Sequence, residues 1–163
     1  MKKIILVRHA KSAWDNPNLS DHDRPLAERG LNDAPRMAKR LKNRGIHADL
    51  LLSSSALRAK ETAKIIAKEL GYPKDKIILE PSLFHASPHA ILKYLQSQDD
   101  RHQTVLVFGH NPGFTDLIVY LGGDIDNLPT SGQFGFKLKS GFWKDLKPEN
   151  VEPWFVDYPK KHH

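Results

Sequence analysis

An arginine and a histidine stand side by side near the start of the chain, directly after an apolar run. Arg8 and His9 follow Ile4-Ile5-Leu6-Val7, a run that is typical of a buried strand. A guanidinium group carries a fixed positive charge, and a neutral imidazole nitrogen is a nucleophile. The pair is suited to attack on a phosphoryl group, because the arginine can hold its oxygens while the histidine reaches the phosphorus.

Two further apolar runs end in residues of the same kind. The run 50–52 leads through serines into a predicted helix with Arg58 in its first turn, and the run 105–108 is followed by Gly109 and His110. In open α/β sheets, ligands bind at the carboxyl ends of parallel strands, where helix N-termini also favour anions. The sequence therefore predicts one anion site that is built from four side chains: Arg8, His9, Arg58 and His110.

Strands and helices that could position these side chains alternate along the chain. Apolar runs rich in β-branched residues predict strands at 3–8, 49–53, 76–80, 104–108 and 134–139. A run around Phe155 is predicted to be an edge strand, because Pro153 and Pro159 flank it. Helices are predicted at 56–70, at 88–97, at 113–121 and in a segment that ends at Gly45. The alternation indicates an α/β fold, a three-layer α/β/α sandwich around a mostly parallel sheet.

Helix signals are clearest at residues 56–70. Ser54 or Ser55 can cap the N-terminus, and Gly71 followed by Pro73 stops the helix. The segment before it places four apolar residues on one face: Leu31, Ala34, Ala38 and Leu41. Pro35 weakens this helix or moves its true start close to the proline.

Residues 10–26 show no periodic pattern and are predicted to form a long loop. They are polar and contain Pro17 and Pro25. Long loops within compact domains often carry function. This loop includes Asp21, Asp23 and Arg24.

Composition limits the classes of protein to consider. The chain has 163 residues and no cysteine, which fits one domain over 1–163, with 160–163 as a frayed tail, and excludes disulfides and thiolate catalysis. No apolar stretch approaches a membrane span of about 20 residues, and no signal peptide is recognised, so a cytoplasmic protein is expected. The net charge of +6 favours anionic partners, but the basic residues are spread out, so no nucleic-acid partner is expected.

Four stretches resemble, in order, the histidine phosphatase superfamily, with its phosphoglycerate mutase-like fold, and most closely its SixA-like phosphohistidine phosphatases. The stretches are 8–12, 21–26 with Arg29-Gly30, 53–59 with Glu61-Thr62-Ala63, and 109–112. The resemblance implies that His9 is the nucleophile that becomes phosphorylated, and that three side chains hold the phosphoryl oxygens: Arg8, Arg58 and His110. It further implies that Arg24 lines the site, and it requires no cofactor.

The chain departs from the family pattern in two places. Ala10 replaces the usual glycine after the histidine, and His85 stands where many members have a glutamate that donates a proton. Glu80 is close to that position but out of register. Asp21 is the candidate donor that the SixA-like branch suggests, with Asp23 as another. Either aspartate could instead pair with Arg24 or cap a turn, and His85 is expected to be structural or to line the rim.

These observations predict a mechanism. Nearby cations lower the pKa of His9 and keep it neutral, a backbone carbonyl fixes its tautomer, and water hydrolyses the phosphorylated ring. A weak or displaced acid suits phosphohistidine better than an alkyl phosphate, because an imidazole leaves readily once it is protonated. The short chain predicts an open site, as a protein-borne phosphohistidine requires. No metal is needed, because arginines supply the positive charge.

Three alternatives remain open at this stage. The first is a general phosphomonoesterase that acts on a small phosphorylated metabolite. The second is a metal-dependent hydrolase built on some of the nine histidines, although their spacing matches no His-Glu-x-x-His motif. The third is a binding module for phosphate or polyanions that has no catalytic activity. The oligomeric state is not predicted.

Overall fold

Six strands of the computed structural model, which describes residues 1–161, form one sheet. They are β1 (Lys2–Arg8), β2 (Leu50–Ser54), β3 (Ile78–Glu80), β4 (Thr104–Gly109), β5 (Gln133–Leu138) and β6 (Val151–Asp157). Their order is β3-β2-β4-β1-β5-β6. The first four lie parallel, and β5 is antiparallel to both of its neighbours. The predicted mostly parallel sheet is confirmed.

Helices cover both faces of this sheet. They are α1 (Glu28–Asn43), α2 (Leu57–Leu70), α3 (Pro88–Gln96) and α4 (Gly113–Tyr120). Alternate residues of β1 enter different cores: Ile5 packs with apolar side chains of α1 and α2, and Leu6 packs with those of α3 and α4. The strand is therefore apolar on both faces, which explains its continuous apolar run. The predicted three-layer sandwich is confirmed.

The first helix differs from its prediction. It begins at Glu28 and runs through Pro35, so the expected start close to the proline was wrong. Pro35 removes a hydrogen bond to the carbonyl of Leu31, and Leu31 is 50% exposed, so water can satisfy that carbonyl. Ala34 and Ala38 are fully buried, and their packing offsets the lost bond. Leu31 does not belong to the buried face on which the sequence placed it.

Smaller differences concern the ends of other elements. β3 begins at Ile78 rather than 76, because a 3-10 turn occupies Lys74–Lys76. β6 includes Pro153 opposite Phe136, where the register shifts, so the strand starts before the proline that was expected to flank it. As an edge strand with a bulge, β6 tolerates the missing N–H. Gly71 ends α2 in a left-handed conformation, as predicted.

The loop before α1 has more structure than its sequence suggests. Ser12 bridges to Leu26, and a 3-10 turn spans Asp21–Asp23. Gly30 in α1 packs directly against the carbonyl of Lys11, at a distance that leaves no room for a Cβ. This close approach anchors the segment that follows β1.

The expected tail, 160–163, lies partly outside the described residues. Within the described part, the amide of Lys161 donates to the carbonyl of Tyr158 at 3.0 Å. In residues 1–161, no helix is long and apolar enough to cross a bilayer.

Candidate active site

His9 lies buried just beyond β1, and one contact determines its tautomer. Its Nδ1 is 2.8 Å from the carbonyl oxygen of Ala10. Because a carbonyl only accepts hydrogen bonds, Nδ1 carries the proton and Nε2 keeps a lone pair. The predicted backbone carbonyl is confirmed. The hydroxyl of Thr62 accepts a bond of 3.0 Å from the Ala10 amide, which holds this backbone in place.

Arg58 reaches the same ring from the first turn of α2. Its Nε is 3.4 Å from Nε2 of His9, so an N–H faces the nitrogen that has the lone pair. Its Nη1 donates to the carbonyl of Asp21 at 2.5 Å, and its Nη2 donates to the carboxylate of Asp21 at 3.2 Å. Arg58 therefore connects the nucleophile candidate with the loop 10–26.

His110 follows β4, and its ring centroid is 5.2 Å from that of His9. Its Nε2 is 2.8 Å from the hydroxyl of Ser54, at the end of the neighbouring strand β2. That hydroxyl also accepts a bond of 3.2 Å from the amide of Ala56, so Ser54 joins the turn before α2 to His110. The N-cap of α2 is Ala56, with no side-chain cap, so neither serine takes the predicted capping position.

The two histidines share a pocket of 250 Å³ with all the predicted arginines and with Asp21. Its walls are Arg8, His9, Lys11, Ser12, Trp14, Asp21, Arg24, Arg58, His85, His110, Asn111 and Thr130. Two buried nitrogens, Nε of Arg8 and Nδ1 of His110, have no hydrogen-bond partner among residues 1–161. Unpaired buried polar groups are unfavourable, and both of these belong to residues of the pocket wall.

Burial and charge keep both imidazoles neutral. The pKa of His9 falls from 6.5 to about 4, mainly because the ring is buried; the bond to Ala10 opposes this shift, and three arginine charges add to it. Burial is also the main reason that the pKa of His110 falls to about 3, and His9 contributes to the same shift. Desolvation therefore lowers the pKa of His9 more than any single one of the cations named by the sequence does. A neutral His110 ring keeps one N–H that can donate a hydrogen bond.

Arg24 is buried, and its donors are engaged within the loop. Its Nε donates to the carbonyl of Ala13 at 3.1 Å, its Nη2 donates to Ser12, and its Nη1 is 2.8 Å from the carboxylate of Asp21. The ring of Trp14, which is 71% exposed, lies over the guanidinium group at 3.1 Å. Arg24 thus lines the pocket as expected and also holds the loop together.

The candidate proton donors differ in position. Desolvation raises the pKa of Asp21, but the charge of Arg58 and its hydrogen bond outweigh this effect, so the net shift is downward. Asp23 pairs with His22 at 3.2 Å, and Glu80 accepts from Ser82 at 2.7 Å. Neither Asp23 nor Glu80 is among the residues that line the pocket. Asp21 pairs with Arg24, as one of the alternatives had it.

Sequence reasoning missed several contacts that organise the site. Ser54 was predicted as a cap, and Thr62 was named only within a family motif. Their hydroxyls in fact contact the ring of His110 and the backbone beside His9. The only indication in the sequence that these two residues belong to the site was their place in the family motifs. Trp14 was not singled out, because an exposed aromatic residue in a polar loop follows no pattern. In residues 1–161, no cluster of three or more potential metal ligands is present.

Comparisons with known proteins agree with this geometry. The model of the histidine phosphatase superfamily (branch 1) matches residues 4–83, which include Arg8, His9 and Arg58. An uncharacterized protein of Mycobacterium tuberculosis is 31% identical over 153 residues, which cover 87% of this chain and 92% of that protein.

Two solved structures resemble the whole fold. A protein assigned as phosphohistidine phosphatase SixA in Agrobacterium tumefaciens has a TM-score of 0.82 and 25% identity, over 97% of this chain and 98% of that one. The protein histidine phosphatase SixA in complex with tungstate has a TM-score of 0.81 and 25% identity, over 96% and 97%. The chain belongs to the histidine phosphatase superfamily, in its SixA-like branch, and is a phosphatase.

Proposed function

We propose that the protein removes phosphoryl groups from phosphohistidine on other proteins, through a phosphohistidine intermediate on its own His9. The observation that carries this proposal is the state of His9, whose Nδ1 is tied to Ala10 while Nε2 keeps a lone pair beside Arg58. Nε2 bonds to phosphorus as the bond to the leaving ring nitrogen breaks, and that nitrogen takes up a proton. Water then cleaves the bond to His9, which releases phosphate and restores the free ring.

Positive charge and N–H donors stabilise the transferred group. We assign the contacts with its equatorial oxygens to Arg8, Arg58 and His110, because phosphoryl transfer depends mainly on positioning and charge stabilisation. Arg24 adds positive charge and keeps the loop 10–26 against the pocket. The bound tungstate in a related SixA structure supports a site for a tetrahedral oxyanion.

The size of the pocket supports a protein-borne substrate. Its volume of 250 Å³ is below the range of about 300–1,000 Å³ that is usual for small-molecule sites. A phosphoryl group and an imidazole ring fill such a pocket, and the rest of the substrate lies outside, beside the exposed ring of Trp14. The structural relatives named as phosphohistidine phosphatases support the same substrate class.

Competing substrates test this proposal. The kcat/KM for a phosphohistidine peptide is compared with that for sugar phosphates, in the wild type and in His9→Asn, with and without excess chelator. We expect the peptide to be preferred, chelator to have no effect on the rate, and the variant to be inactive. A preference for sugar phosphates would instead make the protein a phosphomonoesterase of small metabolites.

The remaining sequence-based expectations stay predictions. They are a single domain over 1–163, a cytoplasmic location, and the lack of a nucleic-acid partner.

A further inference from the structure

His85 lies in the wall of the pocket that also holds His9 and His110. Its φ is 57°, in the left-handed region that residues other than glycine rarely adopt. Such a conformation is kept only where neighbouring contacts hold it, and it often marks a functional position. The reaction described so far gives His85 no task.

Three groups face the His85 ring. Its Nε2 is 3.2 Å from the carboxylate of Asp21, in the loop 10–26. The Phe84 ring lies 3.9 Å away and the His110 ring 6.4 Å away, measured between centroids. Asp21 is in turn held by Arg24 and Arg58, so both arginine charges lie behind the carboxylate.

The contact with Asp21 decides which nitrogen of His85 can exchange a proton. Arg58 and Arg24 keep Asp21 ionised, and an ionised carboxylate only accepts hydrogen bonds. Nε2 of His85 therefore faces a negative charge at 3.2 Å, which stabilises a proton on this ring and leaves Nδ1 as the nitrogen directed away from the carboxylate. Asp21 itself has no proton to give.

We propose that His85 is the general acid of this phosphatase and that Asp21 positions it, an inference that rests on the proposed function. Nδ1 of the His85 imidazolium gives its proton to the leaving nitrogen as the bond from that nitrogen to phosphorus breaks. In the second step, neutral Nδ1 takes a proton from water as the oxygen of that water attacks the phosphorylated His9. The proton returns to His85, and phosphate leaves.

A histidine donor also explains the substrate class. Proton transfer is most efficient when the pKa of the acid is close to the working pH and to that of the group it serves. The leaving group of phosphohistidine is an imidazole nitrogen, which needs a proton as its bond to phosphorus breaks. A histidine donor in this pocket wall thus fits a leaving nitrogen.

The test compares two aryl phosphates in the wild type and in His85→Asn. Asparagine tolerates a positive φ, so the variant keeps the backbone and loses only the acid. The p-nitrophenolate group of p-nitrophenyl phosphate is a good leaving group and needs no proton. The phenolate group of phenyl phosphate is a poorer leaving group, so its departure depends on a proton donor. We expect kcat/KM to fall about 10²-fold for phenyl phosphate and less than about threefold for p-nitrophenyl phosphate.

Two further measurements complete the test. Added imidazole buffer should restore part of the phenyl phosphate and phosphohistidine peptide activity of His85→Asn. His89→Asn, an exposed position on α3 outside the pocket wall, should behave as the wild type.

Wild-type rates in His85→Asn, or equal losses on both aryl phosphates without rescue, would overturn the inference while the proposed function stands. A wild type that is inactive on all three substrates would contradict the proposed function itself.

Discussion

Two of the pockets in the described part of the chain have more than one arginine in their walls, but their charges are arranged differently. The larger, of 720 Å³, is lined by Arg40, Asn43, Arg44, Asp157, Pro159, Lys160 and Lys161. Asp157 is fully buried, and its carboxylate lies 3.0 Å from Nη1 of Arg40 and 3.6 Å from Nη2 of Arg44. These ion pairs join α1 to the end of β6, which is a structural task.

The smaller pocket places its carboxylate at the rim and its imidazoles inside. Asp21 has a side chain that is 39% exposed, whereas His9 and His110 are buried. Positive charge is common to both pockets, so charge alone does not define the active site. The difference is a neutral ring whose proton is held by a backbone carbonyl, with a lone pair on the opposite nitrogen beside Arg58.

The first prediction concerns a variant that lacks this ring. In His9→Asn, the nucleophile is lost while the arginines stay, and kcat for a phosphohistidine peptide should fall by about 10⁴-fold or more. Arg44→Ala in the larger pocket serves as the control and should keep the wild-type rate. Steady-state kinetics measure both variants. Substantial activity in His9→Asn would mean that another group attacks phosphorus.

The second prediction compares the same substitution in both pockets. Arg58→Lys keeps the charge but loses the planar donor fork beside His9, so kcat/KM should fall by about 10²–10³-fold. Arg44→Lys should leave kcat/KM unchanged and alter only the free energy of unfolding. Equal activities of the two variants would contradict the assignment of Arg58 to the transferred phosphoryl group.

The third prediction concerns the support behind the nucleophile. Thr62→Val keeps the size of the side chain but removes the hydroxyl that accepts from Ala10 and donates to the carbonyl of Arg58 at 2.8 Å. We expect kcat to fall about tenfold, and the free energy of unfolding, measured with urea, to fall by about 1–3 kcal/mol. A stability loss without any change in kcat would show that Thr62 does not position His9.

The fourth prediction concerns stability against pH and leaves activity aside. The pKa values of His9 and His110 in the folded protein lie below 6.5, so the unfolded chain binds more protons between pH 6.5 and about 4. The contribution of these two rings to the free energy of unfolding is therefore fully present above pH 6.5. It decreases as the pH falls, by up to about 1.4 kcal/mol per pH unit for each ring. His9→Asn and His110→Asn should each make this dependence less steep. If the pH dependence of stability were the same in both variants as in the wild type, the two rings would be exposed to water in the folded protein.

Much of the site could be predicted because its residues directly follow apolar strands. A parallel sheet brings such positions together at one edge, so Arg8, His9 and His110 could be placed without knowledge of their contacts. The course of α1 through Pro35 could not be predicted, because burial against the sheet outweighs the local penalty. The bridging position of Asp21 depends on contacts with side chains from distant segments, and no local pattern records these.

Trapping of the phosphorylated enzyme tests the central claim most directly. The protein is incubated with a labelled phosphohistidine donor, quenched within one turnover and mapped by peptide analysis. The lone pair on Nε2 of His9 predicts label on that residue, labile in acid and stable in base, and no label in His9→Asn. Turnover without any label, or an acid-stable label on another residue, would contradict the account.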